Sequence, residues 1–260
     1  MNDETLSGRV AFITGSAQGI GFELASKLYQ AGASVWIADV NEEGAEQAKL
    51  SIGGGNLERV GASFLDVCSK ESVQNAVKSC VDTLGSVDIL VNNAGIVSRG
   101  KVETMDVNAW HKVMDVNLTG SFLCSQAVIP YMKKAGQGVI INVSSVSAHV
   151  PSFGLSAYCC SKVGIEMLTK ILAAEVAPFG IRVNAYAPGV VRTSMTQDIL
   201  EQRREEKLRE MALHRFGEVE DIAALVLFLC SEKSSFMTGS IVHIDGGTMI
   251  VSRPWNAWEE

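Results

Sequence analysis

A tyrosine and a lysine four residues apart have the residue types and the spacing for proton transfer. Tyr158 and Lys162 lie in the stretch SAYCCSKVG (156–164), and side chains at i and i+4 of a helix share one face. A free phenol has a pKa near ~10 and is a weak base at neutral pH, but a neighbouring ammonium favours the phenolate. Ser145 stands thirteen residues before the tyrosine, and its hydroxyl could hold a substrate oxygen. A Tyr/Lys pair alone also fits an ordinary helix surface, whereas the three residues together predict acid–base chemistry at an alcohol or a carbonyl.

Two adjacent cysteines in the same stretch suggest redox or metal chemistry. Cys159 and Cys160 would point about 100° apart on a helix, so they cannot jointly chelate a metal or easily form a bridge. The six cysteines of the chain include no C-x-x-C, and the four histidines include no H-E-x-x-H. The pattern therefore predicts reduced, packed thiols and no metal site.

A glycine-rich turn near the start of the chain has the spacing of a phosphate cradle. Gly15, Gly19 and Gly21 in TGSAQGIG (14–21) follow a predicted strand and open a predicted helix. Glycines permit a tight turn, and the N–H groups at a helix N-terminus bind a pyrophosphate. An ordinary strand-to-helix turn would also be rich in glycine, but the position in the first strand–helix unit favours dinucleotide binding.

An acidic residue at the end of the next predicted strand bears on the choice of dinucleotide. Asp39 lies eighteen residues past Gly21, where a carboxylate accepts hydrogen bonds from the adenosine ribose hydroxyls and repels a 2′-phosphate. Gln18 and Asn41, where an arginine would serve NADP, are neutral. A helix-capping role for Asp39 is compatible with ribose binding. These residues predict NAD(H) as the cofactor.

Short β-branched runs alternate with longer helical patterns along the whole chain. The predicted strands cover 9–14, 34–39, 62–67, 87–92, 138–144, 181–187 and 241–245, and the predicted helices cover 19–31, 42–50, 69–84, 103–116, 119–134, 156–178 and 218–231. Almost continuously apolar strands are typical of a parallel sheet covered on both faces. Because no linker divides residues 1–260, the pattern predicts one α/β domain with a doubly wound, parallel, seven-stranded sheet, the Rossmann fold.

The composition argues against several kinds of partner. Of the 260 residues, 47% are hydrophobic and 20% are charged, the formal net charge is −7, and the sequence pI is near 5.2. Nucleic-acid binding would need a clustered positive surface, and the sequence contains no Lys/Arg block. No apolar run approaches the ~18 to 20 residues that span a bilayer, and the polar start MNDETLSGR is not a signal peptide. We expect a cytoplasmic protein with no nucleic-acid or membrane partner.

Taken together, the motifs resemble the short-chain dehydrogenase/reductase family of the compact, single-domain type. The matching segments are TGSAQGIG, Asp39, NNAG (92–95), Asn117 in MDVNLTG, Ser145, Tyr158 with Lys162, and PGVVRT (188–193). They occur in the family's order and at its spacing from about residue 6 to Gly247. The resemblance implies hydride transfer between a nicotinamide and a secondary alcohol or ketone carbon, with no metal required.

The resemblance also implies roles for individual residues. Tyr158 would be the catalytic acid/base, Lys162 would bind the nicotinamide ribose and lower the tyrosine pKa, and Ser145 would orient the substrate oxygen. Asn117 would hold a water in the proton relay. The implied cofactor-binding residues are Gly15, Gln18, Gly19, Ile20, Gly21, Asp39, Asp66, Val67, Asn93, Ala94, Gly95, Tyr158, Lys162, Pro188, Gly189, Val191 and Thr193.

Residues that select the substrate are expected in three places. A helical lid of mixed charge is predicted at about 194–215, where the family's variable substrate loop falls. A histidine near the pocket is either a substrate contact or a structural hydrogen-bonding residue, and both readings stay open. The candidate pocket residues are Ser145, Ile96, His149, Val150, Cys159 and Met195.

The tail 248–260 is longer than the fold requires and contains Trp255 and Trp258. We hypothesise that this tail docks on its own or a neighbouring subunit and walls the pocket, with Arg253 binding an anionic group of the substrate. The alternative is a frayed terminus that touches nothing.

The leading hypothesis is an NAD-dependent dehydrogenase acting on a small polar secondary alcohol, such as a polyol, a sugar or a hydroxy acid. The alternatives are a 3-oxoacyl thioester reductase, a hydroxysteroid dehydrogenase and a non-catalytic NAD-sensing protein on the same fold. Asp39 and the acidic balance count against a carrier-protein reductase, which usually prefers NADPH and a basic docking surface. The resemblance implies a homotetramer with the helices at 119–134 and 156–178 at its interfaces.

Overall fold

Seven parallel β-strands form one sheet through the middle of the protein. A computed structural model describes residues 6–193 and 196–250, excluding the side chains at 198 and 199. The strands are β1 (Val10–Thr14), β2 (Ser34–Asp39), β3 (Val60–Phe64), β4 (Ile89–Asn92), β5 (Gly138–Val143), β6 (Ile181–Pro188) and β7 (Ile241–Ile244). Their order across the sheet is β3-β2-β1-β4-β5-β6-β7, and every pairing is parallel.

Helices cover both faces of this sheet. They are α1 (Gly19–Gln30), α2 (Glu42–Gly53), α3 (Lys70–Leu84), α4 (Val107–Met114), α5 (Gly120–Ala135), α6 (Ser156–Val176), α7 (Gln197–Gln202), α8 (Arg204–Arg209) and α9 (Val219–Cys230). Apolar residues of α1, α2 and α9 pack with one set of strand residues, and those of α3, α5 and α6 pack with the other. Because both faces are covered, all five residues of β1 are buried, which explains the continuous apolar runs in the sequence.

The strand order reverses between β1 and β4. The chain proceeds outward from β1 through β2 to β3, and then returns to place β4 on the other side of β1. In such sheets ligands bind in the crevice at the carboxyl ends of the strands on either side of this reversal. The prediction of a single α/β domain with a doubly wound, seven-stranded parallel sheet is confirmed.

Several predicted elements differ in their bounds from those observed, and β3 and α4 show why. β3 starts at Val60 and ends at Phe64, two residues earlier than the predicted start, because its register against β2 pairs Val35 with Val60. The predicted helix 103–116 begins only at Val107, where the Asp106 side chain accepts a hydrogen bond from Asn108 N. Capping by a side chain sets a helix start that hydrophobic periodicity alone does not locate.

The segment predicted as a substrate lid contains two short helices, α7 and α8. Leu208, Met211 and Phe216 form a small buried cluster there, against which Val190 and Leu200 pack. Val190 lies just beyond the end of β6, so the cluster joins this segment to the carboxyl edge of the sheet. The predicted lid function is not tested by these contacts.

No helix within 6–193 and 196–250 is long and apolar enough to cross a membrane. Over the same residues, no group of three or more His, Cys, Asp or Glu side chains is arranged to hold a metal ion.

Candidate active site

Tyr158 and Ser145 meet at the carboxyl edge of the sheet. Tyr158 lies in the first turn of α6, and Ser145 follows the end of β5. The Ser145 hydroxyl lies close enough to the Tyr158 phenol to act on its pKa, and Ser145 Oγ accepts a hydrogen bond of 3.1 Å from Ser147 N. Burial raises the pKa of the Tyr158 phenol, and the Ser145 hydroxyl acts in the opposite direction. Ser145 is therefore the group that favours the phenolate here.

Lys162 lies one helical turn beyond Tyr158, as the sequence predicts. Its Nζ donates a 2.7 Å hydrogen bond to the Val143 carbonyl and lies 5.5 Å from the centroid of the Tyr158 ring. The side chain is buried, and burial lowers the pKa of Lys162 to about 8. The sequence predicts that the ammonium lowers the tyrosine pKa, but in the structure the largest influence on the phenol is its burial. Burial therefore favours the neutral phenol of Tyr158 and the neutral amine of Lys162.

Asn117 links the loop after β4 to α6. It lies in a π-helical turn, Asp115–Thr119, between α4 and α5, and such turns inside helices are frequent at functional sites. Its Oδ1 accepts from Ile96 N at 2.8 Å, and its Nδ2 donates to Ile96 O and to Ser161 Oγ. Its backbone carbonyl accepts from Ser121 Oγ at 2.9 Å. In the structure Asn117 therefore fixes this loop next to the catalytic candidates, and its role in a water relay stays a prediction.

The glycine-rich turn forms a tight cradle between β1 and α1. Gly15 and Gly19 have φ angles of 63° and 60°, which favour glycine. A Cβ on Gly21 would lie 2.3 Å from the Gly15 carbonyl oxygen and 2.6 Å from Asn93 Nδ2. Asn93 Nδ2 in turn donates to the carbonyls of Thr14 and Gly15 at 3.0 and 2.8 Å.

The N-terminus of α1 is open toward this cradle. The Gln18 side chain does not cap the helix, and the first turn, which includes Ile20, carries no acidic residue. Free N–H groups at a helix N-terminus bind phosphate groups. The cradle thus has the shape and the donors that a dinucleotide pyrophosphate requires.

Asp39 holds two backbone segments beside the cradle. Its carboxylate accepts hydrogen bonds of 3.0 Å from Ala17 N and from Asn41 N. The carboxylate lies at the end of β2 and is partly exposed, so it keeps capacity to accept from ribose hydroxyls. The residue that caps α2 is Asn41, whose side chain accepts from Gly44 N, and not Asp39.

Three further predicted cofactor-binding residues lie near the ends of β3 and β4. Asp66 Oδ1 accepts a 2.9 Å hydrogen bond from Cys68 N. Val67 is buried, and a Cβ on Gly120 would lie 2.8 Å from it. Ala94 N donates to Thr14 Oγ1 at 3.0 Å. The structure places all three at the same edge as the cradle, and their contact with a cofactor stays a prediction.

Gly95 lies between the cradle and the catalytic candidates. A Cβ there would be 3.4 Å from Asn117 Oδ1 and 3.8 Å from Lys162 Nζ. A larger residue would therefore occupy space next to Lys162, where the ribose of a nicotinamide is expected.

The segment 188–193, at the end of β6, lies at the carboxyl edge of the sheet on the side away from the glycine cradle. Pro188 ends the strand, Gly189 N donates to Ile244 O at 3.1 Å, and Val191 forms a bridge with Gly217. Thr193 N donates to Thr196 Oγ1, which itself donates to the Val191 carbonyl. Thr196 was not identified from the sequence, although its hydroxyl fixes Val191 and Thr193, two predicted cofactor-binding residues.

The substrate candidates differ in their surroundings. Cys159 is buried next to Tyr158, whereas Val150 is exposed. His149 Nε2 lies 2.8 Å from Glu166 Oε1, and its ring packs against the His243 ring at a centroid distance of 4.7 Å. Met195 and Arg253 lie outside the described residues, as do Trp255 and Trp258. The substrate roles of all these residues stay predictions.

Sequence reasoning missed several polar residues that support the site. Thr14, Ser144, Ser161 and Glu166 each hydrogen-bond a residue of the catalytic or cofactor-binding set or its immediate neighbour. For Glu166 a signal was present, since positions 158, 162 and 166 continue one helix face. The serines and the threonine have no distinctive spacing.

The fold and the cradle are those of the nucleotide-binding α/β oxidoreductases. A family model described as Enoyl-(Acyl carrier protein) reductase matches residues 15–249. The chain is 39% identical to a 3-oxoacyl-(acyl-carrier-protein) reductase of Thermotoga maritima, over 94% of this chain and 99% of that protein. It is 42% identical to trans-4-hydroxycyclohexanecarboxylate dehydrogenase of Sinomonas cyclohexanicum, over 94% of each chain.

A solved structure shows the same arrangement. Gluconate 5-dehydrogenase from Burkholderia cenocepacia, in complex with NADP and tartrate, superposes with a TM-score of 0.91 at 34% identity, over 96% of this chain and 98% of that one. The protein therefore belongs to the short-chain dehydrogenase/reductase family. It is an oxidoreductase of a family that uses nicotinamide cofactors.

Proposed function

We propose that the protein catalyses NAD-dependent hydride transfer at a secondary alcohol or ketone of a small polar substrate, such as a polyol, a sugar or a hydroxy acid. The observation that carries this proposal is the placement of Ser145 beside Tyr158, with Lys162 one turn away, at the same sheet edge as the glycine cradle. A hydroxyl and a phenol side by side can hold one substrate oxygen and exchange its proton.

The residues of this chain would act on the substrate oxygen and its proton. When bound, the nicotinamide supplies or accepts the hydride. In alcohol oxidation the phenolate of Tyr158 removes the hydroxyl proton, while the Ser145 hydroxyl donates to the substrate oxygen and keeps it in place. Lys162, fixed by the Val143 carbonyl, would hold the ribose and offer a route for the proton beyond Tyr158. In ketone reduction the same groups act in the reverse direction.

Asp39 supports NAD rather than NADP. Its carboxylate is partly exposed at the end of β2, next to the turn that it fixes through Ala17 N. A 2′-phosphate placed there would meet a like charge, whereas a ribose 2′-hydroxyl would find an acceptor. Asp39→Asn retains an acceptor for Ala17 N and removes the charge. We expect this variant to lower the ratio of NAD to NADP efficiency at least about tenfold, and an unchanged kcat/KM ratio would count against the assignment.

The relatives support two substrate classes. The Sinomonas relative is named for a hydroxylated ring carboxylate, a secondary alcohol with a polar group. That name agrees with the hydroxy-acid class in our proposal. The Thermotoga relative is named for a 3-oxoacyl thioester on a carrier protein, so reduction of such a thioester is the second candidate function.

One assay separates these candidates. The purified protein is given NAD, NADP or their reduced forms with a panel of polyols, sugar acids, cyclic hydroxy acids and a 3-oxoacyl thioester, and the absorbance of the reduced nicotinamide is followed. The proposal expects turnover of a hydroxylated small molecule with NAD. Turnover of the thioester alone, with NADPH, would establish the second candidate instead. Binding of NADH without turnover of any compound would point to the NAD-sensing alternative.

We further propose that the protein is a cytoplasmic homotetramer. All six cysteines are free, and the prediction that the thiols are packed is wrong for Cys68 and Cys160, which are exposed. Free thiols suit a reducing compartment. Val163, Met167 and Ile171 form an exposed apolar stripe along α6, and the exposed Phe122 and Tyr131 lie on α5. Phe236, near the outer strand β7, is also fully exposed. Two separate apolar patches are what a tetramer with two kinds of two-fold interface requires.

A further inference from the structure

The end of β5 is attached to one face of α6 at three consecutive residues. Ser145 lies beside Tyr158 and acts on its pKa, the Val143 carbonyl accepts from Lys162 Nζ, and the Ser144 hydroxyl donates to Glu166 Oε1 at 2.7 Å. The three α6 residues are spaced by four, so they share the face that meets the strand end. Glu166 is the member of this set that has no assigned role in hydride transfer.

The same carboxylate oxygen also holds the far end of the turn that carries Ser145. A single helical turn spans Val146–Ala148, with Ser145 as its capping residue. His149, directly after that turn, lies with Nε2 at 2.8 Å from Glu166 Oε1. Residues 144 and 149 therefore meet at one atom, and the segment between them is closed into a loop anchored on α6.

The burial of Glu166 indicates that its charge has a purpose beyond packing. Its side chain is only 12% exposed, and removing a carboxylate from water is unfavourable unless donors replace the lost hydration. Here the Ser144 hydroxyl and the His149 ring supply those donors. A leucine at 166 would fill the same space at no such desolvation cost, so packing alone does not require an acid.

The hydroxyl direction of the catalytic serine depends on this turn. Ser145 Oγ accepts from Ser147 N at 3.1 Å, and this bond exists only while the turn at 146–148 is formed. The His149 ring also packs against His243 on β7 at 4.7 Å, which attaches the same segment to the edge strand of the sheet. Displacing the turn would thus move the Ser145 hydroxyl relative to Tyr158.

We propose that Glu166 is a positioning residue for hydride transfer: by binding Ser144 and His149 through one carboxylate oxygen, it holds the turn that aims the Ser145 hydroxyl at Tyr158 and at the substrate oxygen. This inference rests on the proposed function, because it assigns the consequence to the catalytic Ser145–Tyr158 pair. It also explains why His149 faces Glu166, and it makes His149 a part of the support of the site.

The test compares Glu166→Leu with Glu166→Gln and with the matched control Glu175→Leu. Glu175 is an exposed residue near the end of the same helix. We expect Glu166→Leu to lower kcat by roughly ten- to hundredfold, as misplacement of a catalytic group does, with a much smaller change in KM and in the Kd for NADH. Glu166→Gln keeps an oxygen acceptor for both partners and should restore most of kcat, and Glu175→Leu should match the wild-type protein. A folded Glu166→Leu variant with wild-type kcat would overturn the proposal.

A second readout needs no substrate, so it separates this inference from the proposed function. The phenol titration of Tyr158 is followed by ultraviolet absorbance, as the difference between each protein and its Tyr158→Phe counterpart. Loss of the influence of Ser145 should move the pKa of Tyr158 upward in Glu166→Leu and leave it in place in Glu175→Leu. An unchanged titration in Glu166→Leu contradicts the positioning role even if no substrate is found, whereas a shift without turnover of any compound contradicts only the proposed function.

Single removals of the two donors cover the case in which Glu166→Leu fails to fold. Ser144→Ala and His149→Ala each leave Glu166 with one partner, and each should lower kcat by a smaller factor than the loss of the carboxylate. If the three residues act as one unit, their effects on kcat are not independent. The double variant Glu166→Leu with His149→Ala should then lower kcat by less than the product of the two separate fold-decreases. If Glu166→Leu does not fold, the same comparison is made with Ser144→Ala and His149→Ala. Fold-decreases in kcat that simply multiply would overturn the proposal. An effect of His149→Ala on KM alone would also overturn it, because His149 would then be a substrate contact.

Discussion

Lys162 is buried and Tyr158 is partly buried on one face of α6. Burial raises the pKa of the phenol and lowers the pKa of the ammonium to about 8, so at mildly alkaline pH both residues favour their neutral forms. Such pairs of titratable groups with displaced pKa values are characteristic of acid–base catalysis. At this scale, the reactivity of the site depends on exclusion of water as much as on the identity of the residues.

Removing the phenol hydroxyl tests the assignment of the acid/base. We expect Tyr158→Phe to retain NADH binding, because the cradle is untouched, and to lose at least about a thousandfold in kcat, the upper part of the range for a general acid–base group. In the wild-type protein, alcohol oxidation should accelerate with pH as the phenol ionises, and that increase should vanish in the variant. A variant with near-normal turnover would reject Tyr158 as the catalytic residue.

Lys162 should leave a signature in the pH dependence of folding. Its pKa is lowered to about 8 in the folded protein from the ordinary value of 10.5, so the unfolded chain binds more protons between these values, and the contribution of Lys162 to stability increases with pH across this window. This lowering of the pKa corresponds to a destabilisation of the folded state by roughly 3 kcal/mol at neutral pH.

Lys162→Met removes this proton linkage and keeps much of the side-chain volume. We expect the variant to unfold with a higher free energy than the wild-type protein near pH 7, and the two free energies to converge as the pH approaches 10. Urea unfolding of both proteins at several pH values measures the difference. A gap that stays constant with pH would show that the lysine is not buried as described.

At the scale of elements, the junction between β1 and α1 is controlled by a close approach of two backbone segments. Gly21 lies within a helix, where alanine is normally favoured over glycine by about 1 kcal/mol. Its absent Cβ leaves room for the Gly15 carbonyl and for Asn93, and this approach brings the strand end, the turn and the loop after β4 together. The cradle is therefore a property of two loops and a helix, and not of the glycines alone.

Gly21→Ala should consequently damage cofactor binding despite the better helix propensity of alanine. The new methyl would lie 2.3 Å from the Gly15 carbonyl oxygen, so the turn must move, and we expect the Kd for NADH to rise more than about tenfold. Gly54→Ala is the control, because Gly54 has a φ of 55° and open space around it. That change should cost about 1 kcal/mol of stability and leave NADH affinity unaltered, and equal effects of both changes on NADH binding would refute the role of the cradle.

At the scale of the whole molecule, the sheet gathers residues that are distant in sequence. The cradle comes from β1 and α1, Asn93 follows β4, Ser145 follows β5, and the segment 188–193 follows β6. Parallel strands with helical crossovers place all these carboxyl ends along one edge. The opposite faces of α5 and α6 remain available for the proposed assembly.

The apolar stripe on α6 gives a direct test of that assembly. Met167→Lys combined with Ile171→Lys would place two charges in the proposed interface, and we expect the particle mass measured by light scattering to fall from four chains to two or one. Leu50→Lys, on the exposed surface of α2, is the control and should leave the mass unchanged. A wild-type protein with the mass of one chain would exclude the tetramer outright.

The sequence by itself determined the class of fold and pointed to the candidate catalytic residues. Alternation of apolar strands with amphipathic helices predicts the doubly wound sheet, because the periodicity of each element reflects which of its faces is buried. Two local features can be recognised without a structure, namely the i, i+4 spacing of Tyr158 and Lys162 and the glycine spacing at 15–21. The exact start of β3 was misjudged because its register is set by β2, a partner distant in the chain.

Only the tertiary structure decided which polar residues support the site and how strongly burial acts on it. Glu166, Ser144 and His149 lie on three different segments and meet at one carboxylate oxygen, a contact that no spacing along the chain encodes. The lowered pKa of Lys162 likewise depends on the atoms packed around it. Local patterns record backbone geometry and the side of each element that faces the core, whereas desolvation and contacts between segments arise only when the elements pack together.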